Sequence, residues 1–101
     1  MKGSVYLLTD GELYKIGVTR GSIDKRIAKL QTGNPYTIQM VSHYDTDKPF
    51  KLEKILHFKH SSQRINNEWF QLTNEDVSNF NNECSEIEKM LESVKDNPFM
   101  G

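Results

Sequence analysis

The sequence predicts an α+β domain. It has a small three-stranded antiparallel sheet in β-β-α-β-α order, flanked by helices, and a long helix closes the chain. Three observations carry that expectation. Residues 4–17 form two apolar, partly β-branched runs around Asp10-Gly11, a dipeptide that accepts the positive φ angles of a tight hairpin turn. Ile23, Ile27 and Leu30 recur at helical spacing, as do Leu52, Ile55 and Leu56. Val77, Phe80, Cys84, Ile87, Leu91 and Val94 then make the most regular helical stripe of the chain.

Read in order, Asp10-Gly11 as a two-residue turn sets Thr9 opposite Glu12, Leu8 opposite Leu13, Leu7 opposite Tyr14 and Tyr6 opposite Lys15. Tyr6 and Lys15 then share one face of the sheet, while Tyr14, Ile16 and Val18 share the other and read as core. Ser22 is the expected N-cap of a helix to about Thr32, stopped by Gly33-Asn34-Pro35. A third strand is expected from Thr37 to Tyr44, with Ile38 and Met40 on one face and Gln39, Val41 and His43 on the other. The first strand is expected between the other two. Residues Thr46-Asp47-Lys48-Pro49 open a second helix over roughly 48–60. Arg64 to Asn67 reads as loop and Glu68 to Leu72 as a short extended segment holding Trp69. Thr73 caps the last helix, with Asp76 as its capping-box partner, and Asn97-Pro98 ends it.

Composition narrows the class. At 101 residues with 36% hydrophobic and 27% charged side chains, the chain fits one polar globular domain spanning 1–101. A single cysteine, Cys84, excludes an internal disulfide or a multi-cysteine metal site and fits a reducing, cytoplasmic setting. Cys84 falls in an apolar stripe and reads as core. No apolar run reaches membrane-spanning length, and Met1-Lys2-Gly3 does not begin a signal peptide. The net charge of −1 hides an asymmetry: residues 1–73 carry 11 Lys/Arg against 7 Asp/Glu, residues 74–101 carry 2 against 7. A basic body can meet phosphate, and an acidic last helix cannot.

Few side chains qualify for chemistry. Glu53, His57 and His60 recur at i, i+4 and i+7 on a strip beside the second helix's apolar stripe. The nitrogens suggest zinc, but no fourth ligand has recognisable spacing. Glu53 alone, with water completing the shell, suits a hard divalent cation better. Arg26 lies at the edge of its helix, where a planar fork of donors can clamp a phosphate or simply cover the helix flank. Lys15 is either a substrate-facing charge or a surface lysine.

Ser4-Val5-Tyr6, Tyr14-Lys15-Ile16-Gly17, Arg26, Glu53 and Asn66-Asn67 together resemble the GIY-YIG nuclease family over roughly residues 4–72. The resemblance is closest to a compact branch common in phage and viral proteins. That branch has Y-K-I-G as its second motif and carries runs like Leu30 to Pro35 and Glu53 to His57. It implies a phosphodiester-cleaving site on one sheet face; outside the resemblance, the periodicity and charge of residues 73–97 make them an acidic helix expected to pack on that core. Tyr6 matches the tyrosine that activates or orients the attacking water, and Lys15 stands where the second tyrosine would be. Arg26 matches the phosphate-stabilising arginine, one residue later than usual after Gly17. Glu53 matches the glutamate that binds one Mg²⁺ or Mn²⁺, and Asn66 or Asn67 the asparagine that braces the site. The glycine before Val5 is missing. Leu30 stands where several members have a histidine, a role His43 could fill from the third strand. Lys15 is expected to lower the pKa of Tyr6 or to hold the water itself.

The function this implies is a metal-dependent DNA endonuclease. Tyr6, Lys15, Arg26 and Glu53 would converge on a concave, electropositive patch, and Lys25, Lys29, His57, His60, Arg64, Asn66 and Asn67 would flank it as nucleic-acid contacts. Two other classes compete: a catalytically weak or inactive module that kept the fold to bind nucleic acid or protein, and an interaction protein docking through its acidic last helix.

Overall fold

A computed structural model describes residues 2–95, and the side chains of Val94 and Lys95 are not described. The expected ending at Asn97-Pro98, and the place of Val94 in the apolar stripe, therefore lie outside what is described. The fold is α+β: β1 (Gly3–Thr9), β2 (Tyr14–Thr19), α1 (Ile23–Gln31), β3 (Gln39–Thr46), α2 (Pro49–Lys59), β4 (Arg64–Asn66), β5 (Trp69–Phe70), α3 (Asn74–Ser78) and α4 (Phe80–Lys95). The sheet has five strands, not three, in the order β3-β1-β2-β5-β4, with every neighbouring pair antiparallel. β1 lies between β2 and β3 as expected. The two extra strands come from residues read as a loop and an extended segment, folded into a short hairpin through Asn67 (φ 42°).

The first hairpin keeps its place and changes its register. Tyr6 pairs with Gly17, Leu8 with Lys15 and Thr9 with Tyr14, so the turn spans Asp10–Leu13 and the Tyr6–Lys15 and Leu8–Leu13 pairs are not formed. Side-chain oxygens decide this. Asp10 Oδ1 accepts from the backbone N–H of both Glu12 (2.9 Å) and Leu13 (2.8 Å), and Thr9 Oγ1 accepts from Gly11 and donates to the Leu13 carbonyl. A four-residue loop closed by such bonds satisfies groups that a two-residue turn would leave to water. The shift is by two residues, so the alternation is preserved: Tyr6 and Lys15 still share a face, as diagonal neighbours.

In β3 the alternation is interrupted. Leu7 pairs with Ser42 but Leu8 with Met40, which leaves Val41 as the extra residue of a β-bulge. The bulge returns His43 to the face of Met40, whereas strict alternation had put the two on opposite faces. His43 therefore lies opposite Tyr6.

Two cores result, one on each side of the sheet. Val5, Leu7, Ile16 and Phe70 pack with Leu52 and Leu56 of α2 and with Phe80, Cys84 and Ile87 of α4, and Tyr14 lies against this cluster. On the other face Tyr6, Leu8 and Ile38 are covered by Ile27 and Leu30 of α1 and by Trp69. Ser22 caps α1 through the Lys25 N–H, and Thr73 and Asp76 form the expected capping box. The last helix is interrupted at Asn79, which separates α3 from α4. Among the described residues no helix is long and apolar enough to cross a membrane.

Candidate active site

The site forms where β5 runs out along β2. β5 pairs with β2 only at Tyr14 and Lys15. One residue on, the Ile16 N–H donates to the Glu68 carbonyl (3.1 Å) and the Ile16 carbonyl accepts from His57 Nε2 (2.8 Å). That strand edge is where α2 on one side of the sheet meets the Tyr6 face on the other.

On the Tyr6 face the ring is fully buried and its hydroxyl accepts from Arg26 Nε at 3.3 Å. The ring lies against Gly17: a Cβ there would fall 2.5 Å from Cζ and 2.6 Å from Cε1 of Tyr6. Burial raises the Tyr6 pKa above its ordinary value, and the Arg26 hydrogen bond opposes that rise in part. The expectation that Lys15 lowers it is not met. Lys15 is 6% exposed, its ammonium lies 3.5 Å from Glu68 Oε1 and 5.8 Å from the centre of the Trp69 ring, and its charge is engaged there. The phenol's cationic partner is Arg26, whose own pKa the Tyr6 hydrogen bond raises.

At the β2 edge Glu53, His57 and Glu68 each offer one ligand atom, and the three atoms lie within 4.8 Å of one another. His57 Nε2 is committed to the Ile16 carbonyl, which leaves Nδ1 facing outward, where it accepts from Arg64 at 3.2 Å. That orientation, an N–H held by a backbone carbonyl with the second nitrogen presented, is the arrangement by which proteins aim imidazole ligands. Desolvation raises the Glu53 pKa and Glu68 adds to the rise, while His57 and Lys15 oppose it. Two carboxylates and one imidazole nitrogen suit a single divalent ion that tolerates nitrogen, Mn²⁺ more readily than Mg²⁺.

The other expected contacts divide. Lys25 and Lys29 are exposed on α1, and both line an open groove with Arg26. Arg64 is exposed and stacks over the Phe70 ring, 5.5 Å from its centre. Asn66 pairs with Trp69, and Asn67 makes the β4–β5 turn. His43 is exposed opposite Tyr6 with Nδ1 3.2 Å from Asp45 Oδ1. His60 is a correction. It is 7% exposed, its Nδ1 and Nε2 engaged by Gln63 (2.7 Å) and Glu83 (2.8 Å), so it joins α2 to α4 and is not an exposed contact. The patch is also not uniformly electropositive, since two carboxylates stand at its centre with basic residues around them.

Glu68 is the residue that sequence reasoning missed. The available signal was the run from Arg64 to Phe70, two short extended pieces around Asn67, which as a hairpin sets Glu68 beside the strand that carries Lys15.

This arrangement defines an α+β domain with a mixed acidic–basic site on one sheet edge. A family model for the T5orf172 domain matches residues 3–85, and the chain belongs to that family. No curated protein and no solved structure matches it.

Proposed function

We propose that this protein is a metal-dependent endonuclease that hydrolyses DNA phosphodiester bonds at a GIY-YIG-like site. The observation that carries the reading is the electrostatic reach of the Glu53, His57 and Glu68 cluster to the Tyr6–Arg26 pair, since both carboxylates act on the Tyr6 hydroxyl. A phosphodiester needs an oriented water, a charge clamp and a cation within reach of one phosphorus, and few other reactions need all three. The T5orf172 domain, a phage-associated domain of the nuclease-related group, supports the same class.

Glu53, His57 and Glu68 would hold one Mg²⁺ or Mn²⁺, which supplies Lewis-acid stabilisation of the phosphate oxygens when bound. Arg26 provides the clamp. Its guanidinium covers the Tyr6 hydroxyl, so moving its donors to a phosphate uncovers the phenol for the attacking water. Lys15 holds Glu68 in place and offsets its charge against that of Glu53. His57 is aimed by the Ile16 carbonyl, and Arg64 is the group that must release its Nδ1. DNA is the expected partner, with the exposed Lys25 and Lys29 as backbone contacts beside the clamp.

Nicking of supercoiled plasmid tests this. Wild-type protein should convert plasmid to open circles with Mn²⁺ or Mg²⁺ and not with EDTA, while Glu53→Ala, folded by circular dichroism, should leave it intact. Intact plasmid across titrations of both ions, or normal cutting by Glu53→Ala, would replace the nuclease with a module that binds nucleic acid or a protein partner.

A further inference from the structure

We infer that the pocket between the Gly33–Tyr36 loop and Trp69 is a nucleobase subsite, which takes one unpaired base beside the phosphate held at Arg26. The pocket measures about 460 Å³ and is open to solvent. Tyr36 and Trp69 supply its aromatic surface, and Asn34, Asn66 and Asp10 its polar groups. Trp69 is shared with the candidate active site, since the Lys15 ammonium lies over its ring. A ligand in the pocket therefore touches a ring that the Lys15 ammonium also contacts.

The loop wall is built, not incidental. The Gln31 side chain accepts from the Ile38 N–H (2.7 Å) and donates to the Tyr36 carbonyl (2.8 Å) and the Asn34 carbonyl (3.3 Å). Asn34 Oδ1 in turn accepts from the Tyr36 N–H (2.9 Å). One glutamine thus ties both ends of the loop to α1, and this accounts for part of the Leu30–Pro35 run that phosphate chemistry leaves unexplained. Held this way, Tyr36 is 62% exposed, an aromatic ring presented to solvent from a braced backbone. Such a ring beside a half-buried tryptophan and side-chain amides suits a flat, polar-edged heterocycle: stacking takes its face and the amides take its edge. Bases inside a duplex do not expose their faces, so the base must be unpaired or extruded. The substrate class that follows is DNA with a single-stranded or locally melted segment at the cut. The position beside a phosphate rests on the nuclease reading, but the pocket's affinity for a base does not.

Trp69 is the only tryptophan, so its fluorescence reports on the pocket directly. In EDTA, a short single-stranded oligonucleotide should quench it saturably, and a fully paired hairpin of the same composition should do so far more weakly. Tyr36→Ala should weaken single-strand binding roughly 5- to 100-fold, and Tyr36→Phe should restore it, since stacking needs the ring and not the hydroxyl. Equal quenching by the paired hairpin, no quenching by the single strand, or an unchanged affinity in Tyr36→Ala overturns the subsite. Quenching with this pattern in a protein that never nicks plasmid keeps the subsite and removes the nuclease. Glu53-dependent nicking without the pattern does the reverse.

Discussion

A missing side chain shapes the site at the scale of single residues. Tyr6 reaches Arg26 because its side chain lies against Gly17, where a Cβ would meet two ring atoms and the hydroxyl oxygen at once. Gly17→Ala should therefore destabilise the domain by about 1–3 kcal/mol, the usual cost of overpacking a closed core, and chemical denaturation reads this directly. The same variant should lose nicking even where it remains folded, because the phenol is displaced from the clamp. Tyr6→Phe separates the two roles of that side chain: it keeps the ring and removes the hydroxyl, so it should slow cleavage with DNA affinity nearly unchanged. Glu53 adds a pH dependence. Its pKa is raised by desolvation, so protons compete with metal at a pH above the ordinary carboxylate range. With metal well below saturation, the acid limb of the nicking profile should accordingly lie above pH 4.5, the unperturbed value, and an acid limb at or below it under those conditions would mean that Glu53 is not desolvated in the free protein.

Secondary-structure elements were legible where a local period or cap defines them. The α2 stripe, the Ser22 cap and the Thr73–Asp76 box follow from residues a turn apart and form as read, while of the α1 stripe Ile27 and Leu30 pack on the sheet and Ile23 joins neither core. Register was less legible, because it depends on which hydrogen-bond acceptors win. The Asp10 carboxylate closing a four-residue turn moved every pair of the first hairpin by two. Parity saved the placement of Tyr6 with Lys15, and a shift by one would have separated them. The β-bulge at Val41 and the β4–β5 hairpin leave no period to detect, and Glu68 was lost with them. His60 failed for a related reason: its exposure depends on α4, which is distant in sequence and arrives only through the tertiary fold. That contact has a consequence for stability. The Glu83 hydrogen bond raises the pKa of His60 above its ordinary 6.5, so the contribution of the pair is complete below that pH and is lost as pH rises through the raised value. The Tm should decline as pH rises from 6.5 through that raised value in wild type and flatten in His60→Gln. Deleting residues 74–101 is far more severe, since burying Phe80 and Ile87 contributes about 1.5–3 kcal/mol each and both belong to the main core. A truncated chain melting with the wild type would mean that α4 is an appendage.

Charge is arranged at the scale of the whole molecule as it is in the sequence, basic in the body and acidic at the end. The sheet separates α1 from α4, although the exposed Lys51, Lys54 and Lys59 of α2 lie on the same side as α4. α1 carries Lys25, Arg26 and Lys29 on the Tyr6 face, while α4, with the exposed Glu86 and Glu92, packs against the opposite face with α2. A phosphate backbone approaching the Tyr6 face meets the α1 cations first, with the acidic helix behind the sheet. Duplex binding should then depend on salt through few residues. If Lys25, Arg26, Lys29 and Arg64 each neutralise one phosphate, the slope of log K against log salt should be about −3 to −4. Replacing Lys25 and Lys29 together by glutamine should make that slope shallower by about 2, whereas Glu86→Gln on α4 should leave it unchanged. Fluorescence anisotropy with a labelled duplex in EDTA, over a range of salt, measures all three slopes without any dependence on cleavage. A slope insensitive to Lys25 and Lys29 but altered by Glu86→Gln would put nucleic acid on the α4 side. It would leave Arg26 a structural partner of Tyr6 and no clamp.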